Sequence, residues 1–397
     1  MGATADDGAA VLAAISSEAV AELAADLIRA AGRGEMGTEE VTAAVLVDRA
    51  RQWGLDASTH VVAPQRPNVR ITTPDAGRNP GLLLLGHTDV VPAGTGWRTD
   101  PYEPVVRDGR LYGRGSTDML GGLAAALVAM GALTRAGVRL RGPVELAAVV
   151  DEEELGIGIL DYVADTANLN HAGCVVAEPT DLQTIVAARG ASYIEIDVHG
   201  QAAHAGNPAD GHNAIYGAAQ IISDLEAWHT ELATHAHPLV GPATWNVGVV
   251  NGGVGGSMVP DHCRISTDRR LLPEEDPARV LDEVRARIEA LGLDRRGLSV
   301  DVLMPMHMPG FETDPGSSLV QAARKAVPAA GGPDLPVGGW TAACDGGYLA
   351  RDGGLPVVVL GPGSVTEQAH RPNESVDLEQ LHTAARAYAL TAMNLLG

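Results

Sequence analysis

Four short apolar runs set the terms for any fold of this chain: LLLL (82–85), VELAAVV (144–150), CVVA (174–177) and VVVL (357–360). None keeps a period-2 alternation, so each suits a strand covered on both faces better than one with a wetted side. Between two of them, the small-residue apolar stretch 120–133 predicts a helix. Residues 17–31 predict another, with Ser16 or Ser17 at its cap. Strand and helix in alternation imply right-handed βαβ units and a mostly parallel sheet.

From about residue 188 the texture changes. SYIEIDVHG (192–200) alternates as a half-exposed antiparallel strand does. A helix pattern over 214–228, strands near 244–250 and 263–268, a helix over 277–290 and a strand over 298–303 follow. That β-α-β-β-α-β order fits a small two-layer α+β domain. PVVVLGPG (356–363) then restores the buried-strand texture. The expected fold is therefore α/β, with a large discontinuous mostly parallel-sheet domain made of residues 1–187 and 302–397. A smaller domain, 188–301, is inserted into it.

Composition narrows the function. A net charge of −22 argues against nucleic acid or an anionic membrane as partner, since both need Lys and Arg at the contact. Lys325 is the only lysine, which leaves the basic roles to arginine. No apolar run approaches the ~20 residues of a membrane span. The acidic start MGATADDGAA lacks a secretory pattern, so the expected location is the cytoplasm. Three widely spaced cysteines, Cys174, Cys263 and Cys344, form no zinc-finger spacing and suit a reducing compartment.

The ends of the buried runs carry the chemistry. GLLLLG runs into His87-Thr88-Asp89, VELAAVV into Asp151-Glu152-Glu153, and CVVA into Glu178. PVVVLGPG is followed by a loop with Glu367 and His370. In open α/β sheets ligands bind beyond the carboxyl ends of the strands. A single His or Glu there is ordinarily a solvated loop residue; four such ends are a ligand set for Zn²⁺, Mn²⁺ or Co²⁺. The loop LYGRGSTDMLGG (111–122) adds Asp118. That residue either caps the following helix or bridges two metal ions. With no GxxxxGK[ST] pattern, the loop is not a phosphate cradle.

GHTDVVP (86–92), GRGSTDMLGG (113–122), DEEELG (151–156), EP (178–179) and AHRPNE (369–374), in this order, resemble one family. It is that of the dinuclear zinc aminoacylases and carboxypeptidases, which includes acetylornithine deacetylase, succinyl-diaminopimelate desuccinylase and carboxypeptidase G. The resemblance spans nearly the whole chain. It implies two divalent metal ions, Zn²⁺ first with Co²⁺ or Mn²⁺ as alternatives. His87, Asp118 and Glu178 would hold one ion; Glu153 and His370 would hold the other, with Asp118 bridging. It implies further that Glu152 is the general base, that Asp89 orients the His87 imidazole, and that the Asp118–Met119 peptide is cis.

In the inserted domain, GQAAHAGNPADGHNAI (200–215) resembles the family segment whose His stabilises the oxyanion, often from a partner subunit. His204 matches that His, and Asn213 a supporting position. TDRRLLPEE (267–275) makes Arg270 the matching clamp for a substrate carboxylate, beside Arg269. The resemblance implies a lid and dimerisation role for this domain, hence a homodimer. It also implies cleavage of the amide bond of an N-acyl amino acid or related small carboxylate. A carboxypeptidase or dipeptidase acting on a dipeptide-like substrate is the alternative, and a non-catalytic metal-binding protein a second. Two departures stand out: Met258 where relatives carry Asn, and the segment GGWTAACDGGYLA (338–350), which assigns no subclass.

Overall fold

The structure is a computed structural model that describes residues 5–33, 37–74, 77–165 and 169–397. It divides into two compact units. One comprises Met1–Val186, Glu312–Gly339 and Cys344–Gly397; the other comprises Ala187–Phe311 and Trp340–Ala343.

Among the described residues the largest sheet has nine strands, seven of which lie side by side ahead of two short ones that pair onto Ile185–Ala188. The order of the seven is Asp56–Ala63, Arg66–Thr72, Val144–Val149, Gly81–His87, His171–Val176, Val357–Val359 and Ile185–Ala188. The four central strands are mutually parallel. The hairpin Asp56–Ala63/Arg66–Thr72 joins antiparallel on one side, and Ile185–Ala188 does so on the other. The sheet is therefore mixed, and the expectation of a mostly parallel sheet describes only its centre. Strands Gly81–His87 and Val144–Val149 are buried at every residue, as uninterrupted apolar runs require.

The helix Leu120–Arg135 is buried from Leu120 through Leu133, and small residues let it lie close to the sheet. At Gly122 an added Cβ would sit 2.1 Å from the Ala177 carbonyl oxygen, so no side chain fits there. Leu123 and Leu127 are fully buried, each worth roughly 1.5–3 kcal/mol relative to exposure. The helices Ser17–Ala31 and Leu378–Leu396 share this core. Ser16, not Ser17, caps the first of them, accepting a hydrogen bond from the Ala19 amide at 3.1 Å.

The second unit is a four-stranded antiparallel sheet, in the order Thr244–Gly252, His262–Leu271, Gly190–His199 and Ser299–Met308. Its apolar face, with Ile194, Ile196, Val198 and Ile265, is covered by the helices Ala214–Leu232 and Pro277–Ala290. The chain order of these elements is β-α-β-β-α-β. All three cysteines are buried and free. No helix among the described residues is long and apolar enough to cross a membrane.

Candidate active site

Three of the buried strands end side by side in the first unit, and their next residues turn toward one another. His87 is the last residue of its strand and is only 1% exposed. Its Nδ1 lies 3.0 Å from the Asp89 carbonyl oxygen, which can only accept, so that nitrogen carries the proton. This leaves Nε2 as the ligating atom, facing Asp118 at 3.3 Å, Glu178 at 3.4 Å and Glu152 at 4.0 Å. His370, on the loop after Val357–Val359, reaches Asp118 Oδ2 at 3.2 Å and Glu153 Oε2 at 3.0 Å. Asp118 thus stands between the two imidazoles, with one oxygen toward each.

The loop before the long helix delivers Asp118. No side chain caps that helix, whose cap position is Met119, so Asp118 is not spent as a cap. The Asp118–Met119 peptide is cis. The loop is braced from behind by Glu374, which accepts from the amides of Gly115, Thr117 and Asp118 and pairs with the buried Arg114 at 2.5 Å.

The DEEELG segment forms a tight turn. Asp151 adopts a positive φ of 69°, and its carbonyl accepts from the Gly156 amide at 2.7 Å. Gly156 is itself left-handed at φ 69°, a conformation glycine adopts without strain. The Asp89 carboxylate spans the next two amides, accepting from Glu152 at 3.3 Å and Glu153 at 3.1 Å. Asp89 therefore orients His87 mainly through its backbone carbonyl, while its carboxylate holds the turn.

Among the described residues no arginine or lysine pairs with the carboxylates of this cleft. The ion-pair partners of Asp118, Glu152, Glu153 and Glu178 among those residues are the two imidazoles. Burial pushes the Glu152 carboxyl well above the usual range, with Glu178 and Asp345 adding to the effect against His87. Burial and the Asp118 charge lift Glu178 to about 7. Hydrogen bonds to Asp118 and Glu153 raise His370 to about 10. Burial opposes ionisation of Asp118, but its bonds to His370 and His87 outweigh that and hold it below the usual range.

Glu152, Glu153 and Glu178 are pushed upward by burial and by one another, while Asp118 is held down by the two imidazoles, a crowding of carboxylates that a divalent cation would relieve. Two ligand sets meet this need. The donor atoms of His87, Asp118 and Glu153 lie within 4.8 Å of one another, and so do those of His87, Glu152 and Glu178. The donors are nitrogen and oxygen without sulfur, which suits a divalent ion such as Zn²⁺, Mn²⁺ or Co²⁺. The residues present fit a metal centre.

The model of the peptidase family M20/M25/M40 matches residues 83–394. The chain belongs to this family. As a member it is a hydrolase acting on amide bonds. Among curated relatives, the succinyl-diaminopimelate desuccinylase of Nitrosospira multiformis is 30% identical over 330 residues, 80% of this chain and 84% of that one. The acetylornithine deacetylase of Klebsiella pneumoniae is 32% identical over 339 residues, 82% and 83% of the two chains. A metallo-carboxypeptidase of the M20 family from Sulfolobus solfataricus superposes with a TM-score of 0.76 at 18% identity, covering 94% and 98%.

Three residues singled out by the family resemblance lie in the second unit. His204 is exposed, and its Nδ1 accepts from the Gly206 amide at 3.0 Å. Arg270 forks onto Asp268 at 2.9 and 3.0 Å. Its neighbour Arg269 is fully buried between Trp228 and Trp245 and bonds Glu275 at 2.5 Å, a packing role. Asn213 caps the helix Ala214–Leu232, its Oδ1 accepting from the Tyr216 amide at 3.2 Å. Met258 is the antiparallel register partner of His204.

Sequence reasoning passed over Asp345, Glu374 and Arg66. Asp345 is 2% exposed, neither of its oxygens has a hydrogen-bond partner among the described residues, and its charge is felt by Glu152. Its signal was its place in GGWTAACDGGYLA, directly after Cys344. Cys344 itself is buried, its thiol pushed up by that burial, as a packed residue should be.

Proposed function

We propose that this family member hydrolyses the amide bond of an N-acyl amino acid or a closely related small carboxylate. The reading rests on one observation: Asp118 stands between His87 and His370 with one oxygen toward each, and Glu178, Glu153 and Glu152 lie around them. His87, Asp118 and Glu178 would hold one divalent cation. Glu153 and His370 would hold the other, with Asp118 shared. Two divalent cations held there, zinc before cobalt or manganese, would supply Lewis-acid polarisation of the scissile carbonyl and acidify the attacking water.

The chain's own groups do the rest. Glu152 takes the proton of the attacking water and passes it to the leaving nitrogen, so the products are a carboxylate and an amine. With its Nδ1 occupied by the Gly206 amide, His204 carries its proton on Nε2, a donor suited to an oxyanion. Arg270, held by its fork on Asp268, would pair with a substrate carboxylate through its remaining guanidinium nitrogen, and Asn213 supports the segment that bears His204. The acyl reading is favoured over the carboxypeptidase or dipeptidase reading by the desuccinylase and deacetylase relatives at 30% and 32% identity. Metal-loaded protein assayed on N-acetyl, N-succinyl and aminoacyl substrates separates the two. In the same assay Glu152→Gln should lose roughly 10²–10⁴-fold in turnover. Full turnover by that variant would sink the mechanism, and undiminished activity after chelation would sink the metal.

The smaller unit would act as lid and as the contact of a homodimer. The strand Thr244–Gly252 is a sheet edge carrying exposed Val249 and Val250, and Ile215 and Tyr216 are exposed at the start of the adjoining helix. Unpaired edges with apolar side chains invite pairing with a second copy. Sedimentation should show a dimer that Val250→Glu weakens; a wild-type monomer at micromolar concentration would refute it. The expected compartment is the cytoplasm, a reading that the three free cysteines support.

A further inference from the structure

The turn that carries the proposed base is a concentration of like charge, with Asp151, Glu152, Glu153 and Glu154 in sequence. It is also bent, since Asp151 is a non-glycine residue at a φ of 69°. Both features call for an anchor. Asp89 provides one from the metal side, through the Glu152 and Glu153 amides. The second comes from the far side of the turn. Arg66, on the strand Arg66–Thr72, donates to Asp151 Oδ1, and its other nitrogens fork onto Glu39 at 2.9 and 2.9 Å. The other Asp151 oxygen accepts from the Leu155 amide at 3.2 Å and the Ile157 amide at 3.4 Å. Asp151 and Glu39 are nearly buried, with side chains 3% and 4% exposed, and Arg66 is 17% exposed.

We infer that Arg66 is a positioning residue for the proposed reaction: clamped by Glu39, it fixes Asp151 and thereby the direction in which Glu152 and Glu153 leave the turn. The inference rests on the role proposed for Glu152. Arg66 touches neither the ligand atoms nor the reacting bond. It supplies a positive charge at the root of the acidic run, which repels itself and has no other arginine pairing with Asp151 among the described residues. A guanidinium is needed because one planar fork must satisfy two carboxylates from different segments, which a lysine's single ammonium does poorly. Groups that orient metal ligands without touching the metal typically matter by 10–100-fold in activity or metal affinity.

Arg66 also lines a cavity of about 500 Å³, together with Glu39, Thr42, Asp89 and Glu153, so a small cation can enter where its side chain is removed. This allows a test that a purely structural role would fail. In metal-loaded full-length protein, Arg66→Ala should lower kcat by about 10–100-fold with KM changed less than about threefold. Methylguanidinium in the buffer should restore part of that kcat, and methylammonium should restore less. Hydrogen exchange over 152–157 should rise in the variant and fall again with methylguanidinium, a readout that does not depend on turnover. Arg66→Lys should lie between Arg66→Ala and wild type. A kcat within twofold of wild type, or a loss with exchange unchanged and no rescue, overturns the proposal. If Arg66→Ala does not fold, Asp151→Asn carries the kcat and exchange readouts: unchanged values there overturn the proposal. A fully active Glu152→Gln would overturn the proposed function instead, leaving the exchange result to stand for Arg66 alone.

Discussion

Glu374 and Glu178 are both buried carboxylates, 0% and 3% exposed, and both titrate near 7 because burial disfavours their charge. Their surroundings differ in kind. Glu374 accepts three backbone amides and pairs with Arg114, whose guanidinium stacks on Trp97 at 5.2 Å. Glu178 has the His87 imidazole at 3.4 Å, and around it the charges of Asp118 and Glu153. The first carboxylate is completed by the chain. The second has one imidazole of the chain against several like charges, an environment suited to a recruited cation. A cleft of the second kind, beside a brace of the first, reads as a metal site held by a rigid frame.

The contrast breaks most sharply on mutation. Removing one partner of a buried ion pair leaves the other uncompensated and costs about 3–5 kcal/mol. Arg114→Met should lower stability by that amount in urea unfolding, with or without chelator, because Glu374 serves the frame in both states. Glu178→Gln should behave in the opposite way. Without metal it relieves like-charge crowding and should stabilise the protein by on the order of 1 kcal/mol near pH 8. With metal it removes a ligand and should destabilise it. A Glu178→Gln effect of one sign in both states would mean that the cleft does not depend on a cation.

Three of the proposed ligands were legible because each lies at the end of a short apolar run that suits a buried strand. His87, Glu153 and Glu178 mark those ends, and the motifs around Asp118 and His370 supplied the rest. What holds the ligands was not legible. Arg66 meets Asp151 across 85 positions, and Glu374 meets Asp118 across 256, so no local period reports either contact. Glu374 lay inside AHRPNE, one of the segments that carried the resemblance, yet nothing local distinguishes a brace from a solvated acid. The hairpin Asp56–Ala63/Arg66–Thr72 escaped for a related reason. Its outer strand is mostly exposed and lacks the apolar run that announces its neighbours, so the mixed character of the sheet stayed hidden.

The smallest effect expected is a slope with pH, and its sign follows from the same contrast. In the metal-free protein Glu178, raised to about 7, costs nothing while protonated below its ordinary 4.5 and destabilises increasingly as pH rises toward 7. His370 tilts the same way. Raised from 6.5 to about 10, it contributes stability that is fully present below 6.5 and is lost as pH climbs through 10. Asp118, held below its ordinary 3.8, contributes stability that is lost only in stronger acid, so it leaves the window between pH 5 and 8 flat. Chelated protein should therefore melt a few degrees lower at pH 8 than at pH 5.5, since 1 kcal/mol moves Tm by about 2–4 °C in chains of 150–250 residues. Metal-loaded protein should show a shallower slope, the part that Glu374 contributes in both states, because cation binding favours deprotonated ligands. Equal slopes in the two states, measured by calorimetry, would place the pH dependence outside the cleft and return its acids to the ordinary surface charge of an acidic protein.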